Sequence, residues 1–100
     1  ILENYLNPDY YKTHQKLIWT TNQQSATYQI FSVYIARVDY QHVNLNFSKE
    51  EYAIHLNWLK EQSLYDTGVE ISSYDEILLL QTCYVEEENA YIIIVGKKIS

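Results

Sequence analysis

The chain has 100 residues, of which 47% are apolar, 20% are charged and 11 are tyrosines, and its formal net charge is −6. This length corresponds to one domain or to part of a larger one. Seven cationic residues without a basic stripe argue against a nucleic-acid partner. Two glycines and one proline exclude a low-complexity chain, and a single cysteine excludes an internal disulfide and a thiolate metal cage.

We expect any membrane anchor or export signal of this protein to lie outside these residues. No stretch approaches the 18 apolar residues of a spanning helix. The chain begins with Ile1 and Leu2 rather than methionine, and we therefore expect that it was cut from a longer protein.

The first elements are helical and then β. The stretch ILENYLNPDYYKTHQ predicts a helix in two pieces, because Asn7 is a typical N-cap and Pro8 suits the first helical position. The stretch KLIWTT and the run from Thr27 to Val38 predict a hairpin around the polar turn TNQQSA. Strict alternation in the second strand predicts one face with Phe31, Val33 and Ile35 and another with Tyr28, Ile30, Ser32, Tyr34 and Ala36. Both faces are apolar, which predicts cover on both sides.

The second half predicts one helix and two strong strands. Ser48 and Glu51 form a capping box, and the apolar stripe of this helix comprises Tyr52, Leu56 and Leu59, widened by Ile54 and Trp58. After YDTG, the stretch VEISSYDE predicts a short strand and a turn. The runs Glu76–Thr82 and Ala90–Val95 predict strands buried on both faces. This pattern favours a partly closed β-barrel with a helical insertion.

The residue types alone favour no catalytic site. A nucleophilic cysteine must be held as a thiolate, and the carboxylates of Glu86–Glu88 disfavour that form, so Cys83 is interpreted as a buried core thiol. His14, His42 and His55 are interpreted as surface or interface residues, and Arg37 as a strand-end ion-pair partner. Glu86–Glu88 lacks the spacing of a calcium loop and predicts a solvated hairpin turn.

The order of the segments resembles a known family. The stretches YQIFSVYIARVDY, LKEQSLYDTGVEISSYDEILLLQTC and EENAYIIIVGKKI resemble the C-terminal part of class B sortases, surface enzymes of Gram-positive bacteria that join sorting-signal proteins to the cell wall or into pili. The resemblance implies a mainly β fold with helical insertions, in which residues 1–100 form the C-terminal portion of a single sortase-type barrel domain. It also implies a place on the extracellular face of the cell, associated with membrane or wall.

The resemblance reverses the interpretation of the cysteine. The family motif Thr-Leu-x-Thr-Cys corresponds to residues 79–83, with Leu79 in place of the first threonine. Cys83 would then be the nucleophile that attacks a Thr–Gly type bond of a sorting signal, and an amine would release the thioacyl-enzyme. Tyr91 stands where the family has its catalytic arginine, and the family histidine would lie upstream of Ile1. We therefore expect the sulfur of Cys83 at the rim of a barrel, facing an open cleft beside the phenol of Tyr91.

Further roles follow from the same resemblance. Leu64, Tyr65, Gln81 and Thr82 would contact the sorting peptide, and the carboxylates of Glu86–Glu88 would favour a cationic amine acceptor. No cofactor or metal is expected. Two interpretations stay open: a cysteine transpeptidase, or an impaired sortase-like protein that binds surface or pilus proteins without covalent chemistry. Unpaired sheet edges also predict association with a partner segment or self-association.

Overall fold

The computed structural model describes residues 2–37 and 48–100, and His42 therefore lies outside the described residues. Within these ranges, four strands form one antiparallel sheet in the order β1-β2-β4-β3. The elements in chain order are a 3₁₀ helix Leu2–Leu6, α1 Pro8–Thr13, β1 Lys16–Thr20, β2 Ser25–Ala36, α2 Lys49–Gln62, β3 Ile77–Cys83 and β4 Tyr91–Lys98. The prediction of a mainly β fold with helical insertions is confirmed.

Both predicted helix starts are confirmed. Asn7 caps α1, since its side-chain oxygen accepts a hydrogen bond from the amide of Asp9 at 2.9 Å. At α2, the Ser48 hydroxyl accepts from the amide of Glu51 at 3.2 Å, and the Glu51 carboxylate accepts from the amide of Ser48 at 3.1 Å. The bond from the Ser48 amide holds the pKa of Glu51 below its usual value, because it stabilises the charged carboxylate.

The core forms two layers, one on each face of the sheet. The first cluster lies under the N-terminal helices and comprises Tyr5, Tyr11, Ile30, Val33, Ile92 and Ile94. The second cluster lies under α2 and comprises Phe31, Tyr34, Leu56, Leu59, Ile93 and Val95. β2 and β4 are the central strands and contribute to both clusters, which confirms the prediction that β2 is covered on both faces.

The predicted alternation of β2 is wrong at Phe31, which interrupts it, and is kept among Ser32, Tyr34 and Ala36. The register of β2 against β4 shifts between Ile30 and Ser32, so that Phe31 is the extra residue of a β-bulge. Phe31 and Ser32 consequently both face the α2 side, while Ile30 and Val33 both face the N-terminal helices. A bulge depends on the register with a neighbouring strand, which the pattern of a single strand does not contain.

Other predictions need correction at the edges of the fold. Ile54 and Trp58 do not widen the buried stripe of α2, since 69% and 44% of their surfaces are exposed. Residues 69–72 form no strand, and their side chains Val69 and Ile71 pack on the second cluster instead. β3 is only half-buried, because it is an edge strand of the sheet.

Candidate functional site

Cys83 is an exposed free thiol at the C-terminal end of β3. The interpretation of Cys83 as a buried core residue is wrong. β3 is an edge strand, and its last residue lies where the chain turns towards β4. Exposure of the sulfur agrees with the expectation drawn from the sortase resemblance.

Cys83 lies directly opposite Tyr91 in the β3–β4 pair. The amide of Tyr84 donates to the carbonyl of Ala90 at 2.9 Å, so Tyr84 and Ala90 occupy a hydrogen-bonded position at this end of the ladder. Bonded and non-bonded pairs alternate along an antiparallel ladder, which makes Cys83 and Tyr91 a non-bonded pair. Such pairs have Cα atoms about 4.5 Å apart and side chains on the same face. The thiol and the phenol are therefore neighbours.

Two clefts meet at Cys83. One has a volume of about 430 Å³ and is lined by Glu3, Leu6, Thr82, Cys83, Tyr84, Val85, Glu86 and Ile92. The other has a volume of about 440 Å³ and is lined by Cys83, Tyr84, Val85, Glu87, Glu88, Asn89, Ala90 and Tyr91. Both volumes are of the size that holds a small ligand or a few peptide residues. Glu3 and Leu6 come from the 3₁₀ helix, and no local sequence signal connects them to the cysteine.

The β3–β4 turn brings carboxylates to these clefts. The structure confirms Glu86–Glu88 as part of a hairpin connection, in which the amide of Glu87 donates to the carbonyl of Tyr84 at 3.2 Å. Asn89 closes the turn with φ 60°, a left-handed conformation that asparagine tolerates. Glu86 lines one cleft, and Glu87 and Glu88 line the other.

A single arginine reaches this acidic turn. Nε of Arg37 lies 3.2 Å from Oε2 of Glu87 and donates to Oε1 at 3.3 Å. Arg37 directly follows β2, and the last residue of that strand, Ala36, is paired with Tyr91. The predicted strand-end ion pair is thus confirmed, and its location beside the cysteine cleft is a feature that sequence reasoning missed.

Gln81 and Thr82 lie on opposite faces of β3. Gln81 is paired with Ile93 and shares the face of Cys83, whereas Thr82 is paired with Ile92 on the other face. Thr82 lines the cleft of about 430 Å³ together with Cys83. Their roles in peptide binding stay predictions.

Leu64 and Tyr65 lie at a different edge of the sheet. β1 pairs with β2 only as far as Gln29, and beyond it the segment after α2 binds the free edge of β2. The amide of Leu64 donates to the carbonyl of Val33 at 2.7 Å. β3, which carries Cys83, lies on the opposite side of β2 from Leu64, and two strand spacings, or about 10 Å, separate β3 from β2.

Tyr65 is also committed to the core. Its hydroxyl donates to the carbonyl of Tyr5 at 2.7 Å, its ring packs 5.3 Å from that of Tyr11, and burial raises its pKa. Neither Leu64 nor Tyr65 lines the two clefts at Cys83. Their contact with a sorting peptide stays a prediction. Such a contact would lie on a different surface from the two clefts at Cys83.

The described histidines lie away from the thiol. His14 stacks on Tyr10 with ring centroids 3.9 Å apart. His55 lies on α2 beside Trp58, and burial lowers its pKa. Within residues 2–37 and 48–100, no histidine lines either cleft at Cys83. The same residues contain no cluster of three potential metal ligands, and none of their helices has the length and apolar character needed to cross a membrane.

Comparison with known proteins gives relatives of one kind. No family model matches the chain. Sortase B of Listeria monocytogenes is 28% identical over 99% of this chain, and sortase B of Staphylococcus aureus is 26% identical over 91%. The chain spans 42% and 36% of the lengths of these two relatives.

Solved structures agree with the sequence relatives. A mutant form of Clostridium perfringens sortase B superimposes with a TM-score of 0.89 at 26% identity, covering 99% of this chain and 49% of that one. A crystal structure of sortase B complexed with triglycine has a TM-score of 0.85 at 25% identity and covers 99% of this chain and 48% of that one. Sequence and fold together confirm the resemblance: this chain is sortase B-like over nearly its whole length and spans about half, or less, of the sortase B proteins it matches.

Proposed function

We propose that this chain is the cysteine-bearing portion of a sortase-type transpeptidase, with Cys83 as the nucleophile. The observation that supports it most is an exposed thiol paired with Tyr91 at the edge of two clefts, in a chain with the sortase B fold. In this proposal residues 1–100 are the C-terminal portion of a single sortase-like domain. The protein would act on the extracellular face of a Gram-positive cell, at the membrane or the wall, in wall anchoring or pilus assembly.

The proposed reaction has two steps. The Cys83 thiolate attacks the carbonyl carbon of a Thr–Gly type bond, a C–S bond forms, and the C–N bond breaks as the leaving amine takes a proton. An acceptor amine then attacks the thioester, which restores the thiol and forms a new amide. The sortase B complex with triglycine supports an acceptor that presents a peptide amine.

Tyr91 is the group best placed to assist the attack. As the tetrahedral oxyanion forms, a hydroxyl on the strand opposite the thiol can donate one hydrogen bond to it. It carries no positive charge, and an arginine would supply forked, charge-assisted donors. No histidine that could take the thiol proton is among the described residues that line the clefts. The base would be a histidine upstream of Ile1, as in the family.

The acidic turn favours a cationic acceptor. Glu86, Glu87 and Glu88 place carboxylates on both clefts, where they attract an ammonium group. Replacing all three with glutamine should weaken the use of a cationic amine more than that of a neutral nucleophile such as hydroxylamine. Unchanged amine use would remove this part of the proposal.

A second function is supported by the same departures from the family. With Tyr91 in the arginine position and no histidine among the described residues lining the clefts, the protein would bind sorting-signal or pilus proteins without forming a thioester. Removing an oxyanion donor costs on the order of 3 kcal/mol in the transition state, or roughly a hundredfold or more in rate. The clefts would then serve as a binding site only.

Mass spectrometry of the intact protein separates the two functions. The protein is incubated with a library of threonine-containing peptides, and the transpeptidase proposal predicts a thioacyl adduct that triglycine or hydroxylamine releases. The Cys83→Ala variant should form none, while a Cys83→Ser variant should keep peptide binding without turnover. Peptide binding without any adduct would support the binding module. An adduct that persists in Cys83→Ala, or neither adduct nor binding, would refute the proposed site.

Thiol reactivity offers an independent measurement. Rapid labelling of Cys83 by a methanethiosulfonate reagent at neutral pH favours the transpeptidase, because only the thiolate reacts fast. A slowly reacting thiol favours the binding module.

A further inference from the structure

We infer that Arg37 is a positioning residue of the Cys83 cleft: by pairing with Glu87 it offsets a carboxylate charge that faces the thiol. This inference deepens the proposed function. Its test, however, reads the reactivity of the thiol and needs no turnover.

The sheet brings Arg37 to the cleft. Ala36 is paired with Tyr91, and Tyr91 is paired with Cys83, so the ends of three strands lie side by side. Two strand spacings separate β2 from β3, which puts the backbone of Arg37 about 10 Å from that of Cys83. Glu87 connects Arg37 to the cleft, since Glu87 lines the cleft with Cys83 and its carboxylate lies 3.2 and 3.3 Å from Nε of Arg37.

Among the described residues that line the two clefts, the charged side chains are all carboxylates. The titratable and charged groups that face the two clefts, taken over every described element that lines them, are Glu3 from the 3₁₀ helix, Tyr84, Glu86, Glu87 and Glu88 from the β3–β4 turn, and Tyr91 from β4. Arg37 is the sole arginine of the chain and contacts this set through Glu87. Each uncompensated carboxylate disfavours the thiolate and the developing oxyanion alike. Arg37 opposes both effects.

The pair also holds the turn. One oxygen of Glu87 is buried and makes no hydrogen bond of its own, although it lies within ion-pair distance of Arg37. A buried carboxylate oxygen is costly without a compensating positive charge. The ion pair therefore stabilises this oxygen and connects the end of β2 to the turn that carries the acidic groups.

The test measures the rate at which iodoacetamide, a neutral probe, alkylates Cys83. A unit charge that acts across an open, solvated cleft changes the rate of a reaction at an anionic nucleophile by roughly two- to tenfold. Arg37→Gln should therefore slow alkylation about two- to tenfold at neutral pH and low salt, and Arg37→Lys should keep most of the wild-type rate. Glu87→Gln added to Arg37→Gln should restore the rate, because both charges are then gone.

Salt and a matched control separate charge from structure. At about 1 M salt the Debye length falls to about 3 Å, so the difference between wild type and Arg37→Gln should largely disappear. The control is Lys98→Gln, which breaks the 3.7 Å ion pair with Glu76 at the far end of β3, about 20 Å from Cys83. It should leave the alkylation rate unchanged.

The outcomes decide the inference separately from the proposed function. An unchanged rate in Arg37→Gln overturns it. A slower rate that persists at high salt and is not restored by Glu87→Gln also overturns it, because the effect would then be structural. If the charge pattern holds while no thioacyl adduct forms with any peptide, the inference stands and the transpeptidase proposal fails.

Discussion

Removing the hydroxyl of Ser32 should destabilise the fold far more than its size implies. Ser32 is fully buried at the β2 bulge, and its hydroxyl donates to the carbonyl of Leu59 at 2.5 Å. Leu59 lies in the last turn of α2, where its carbonyl would ordinarily accept from the amide of Ser63. That amide donates instead to the carbonyl of Lys60 at 3.3 Å, so Ser32 is the partner that satisfies the Leu59 carbonyl.

The magnitude follows from the orphaned carbonyl. Ser32→Ala leaves a buried acceptor without a donor, which costs about 1–3 kcal/mol. For a domain of this length, a loss of about 2 kcal/mol lowers the melting temperature by about 8–16 °C. The matched control is Ser25→Ala, at the exposed start of the same strand, which should change stability by less than about 0.5 kcal/mol.

Urea unfolding and thermal melting followed by circular dichroism measure both variants. Hydrogen exchange adds a local readout, because the amide of Leu64 should lose protection as the end of α2 separates from the sheet. If Ser32→Ala and Ser25→Ala have equal stabilities, the reasoning that Ser32 joins α2 to the sheet is wrong.

Three further predictions concern packing, pH and association. Gly96→Ala should cost about 1–3 kcal/mol in urea unfolding, because the added methyl would lie 3.0 Å from Cβ of Tyr28, and equal stability would contradict this close approach. Burial lowers the pKa of His55 below its value in the unfolded chain, so the free energy of unfolding should fall as the pH decreases from about 7.5 to 5.5. The His55→Gln variant should show a smaller fall, and parallel pH profiles for the two proteins would show that His55 does not contribute. β1 and β3 each lack a second partner strand among the described residues, and Ile18 on β1 is 72% exposed. Such edges pair with other chains, so sedimentation velocity should show association, and a monodisperse monomer would refute this prediction.

Local patterns predicted the elements of this fold well. The N-caps at Asn7 and Ser48 depend on groups two or three residues away, and both are formed as expected. The hairpin of β1 and β2 and the buried run of β4 also follow from short-range composition. The predictions that were wrong concern one short strand and several faces: residues 69–72 form no strand, Phe31 lies on the opposite face from Val33, and Ile54 and Trp58 are exposed.

The candidate site, like the fold, was predicted from the sequence only in part. The order of the segments in the sequence singled out Cys83 and Tyr91 through resemblance, while the residue types alone led to a buried thiol. Exposure of the sulfur is decided by the place of β3 at the edge of the sheet, which is a property of strand order. No pattern within β3 encodes that order.

By itself, then, the sequence determined the helices, the strands and the position of the one thiol, because those depend on neighbours along the chain. Only the tertiary structure decided the surroundings of that thiol. Arg37 and Glu87 are 50 residues apart in sequence, and the sheet register brings their side chains together beside Cys83. The physical reason is that charge and burial act through space, and the pairing of β2, β4 and β3 sets which distant groups share that space.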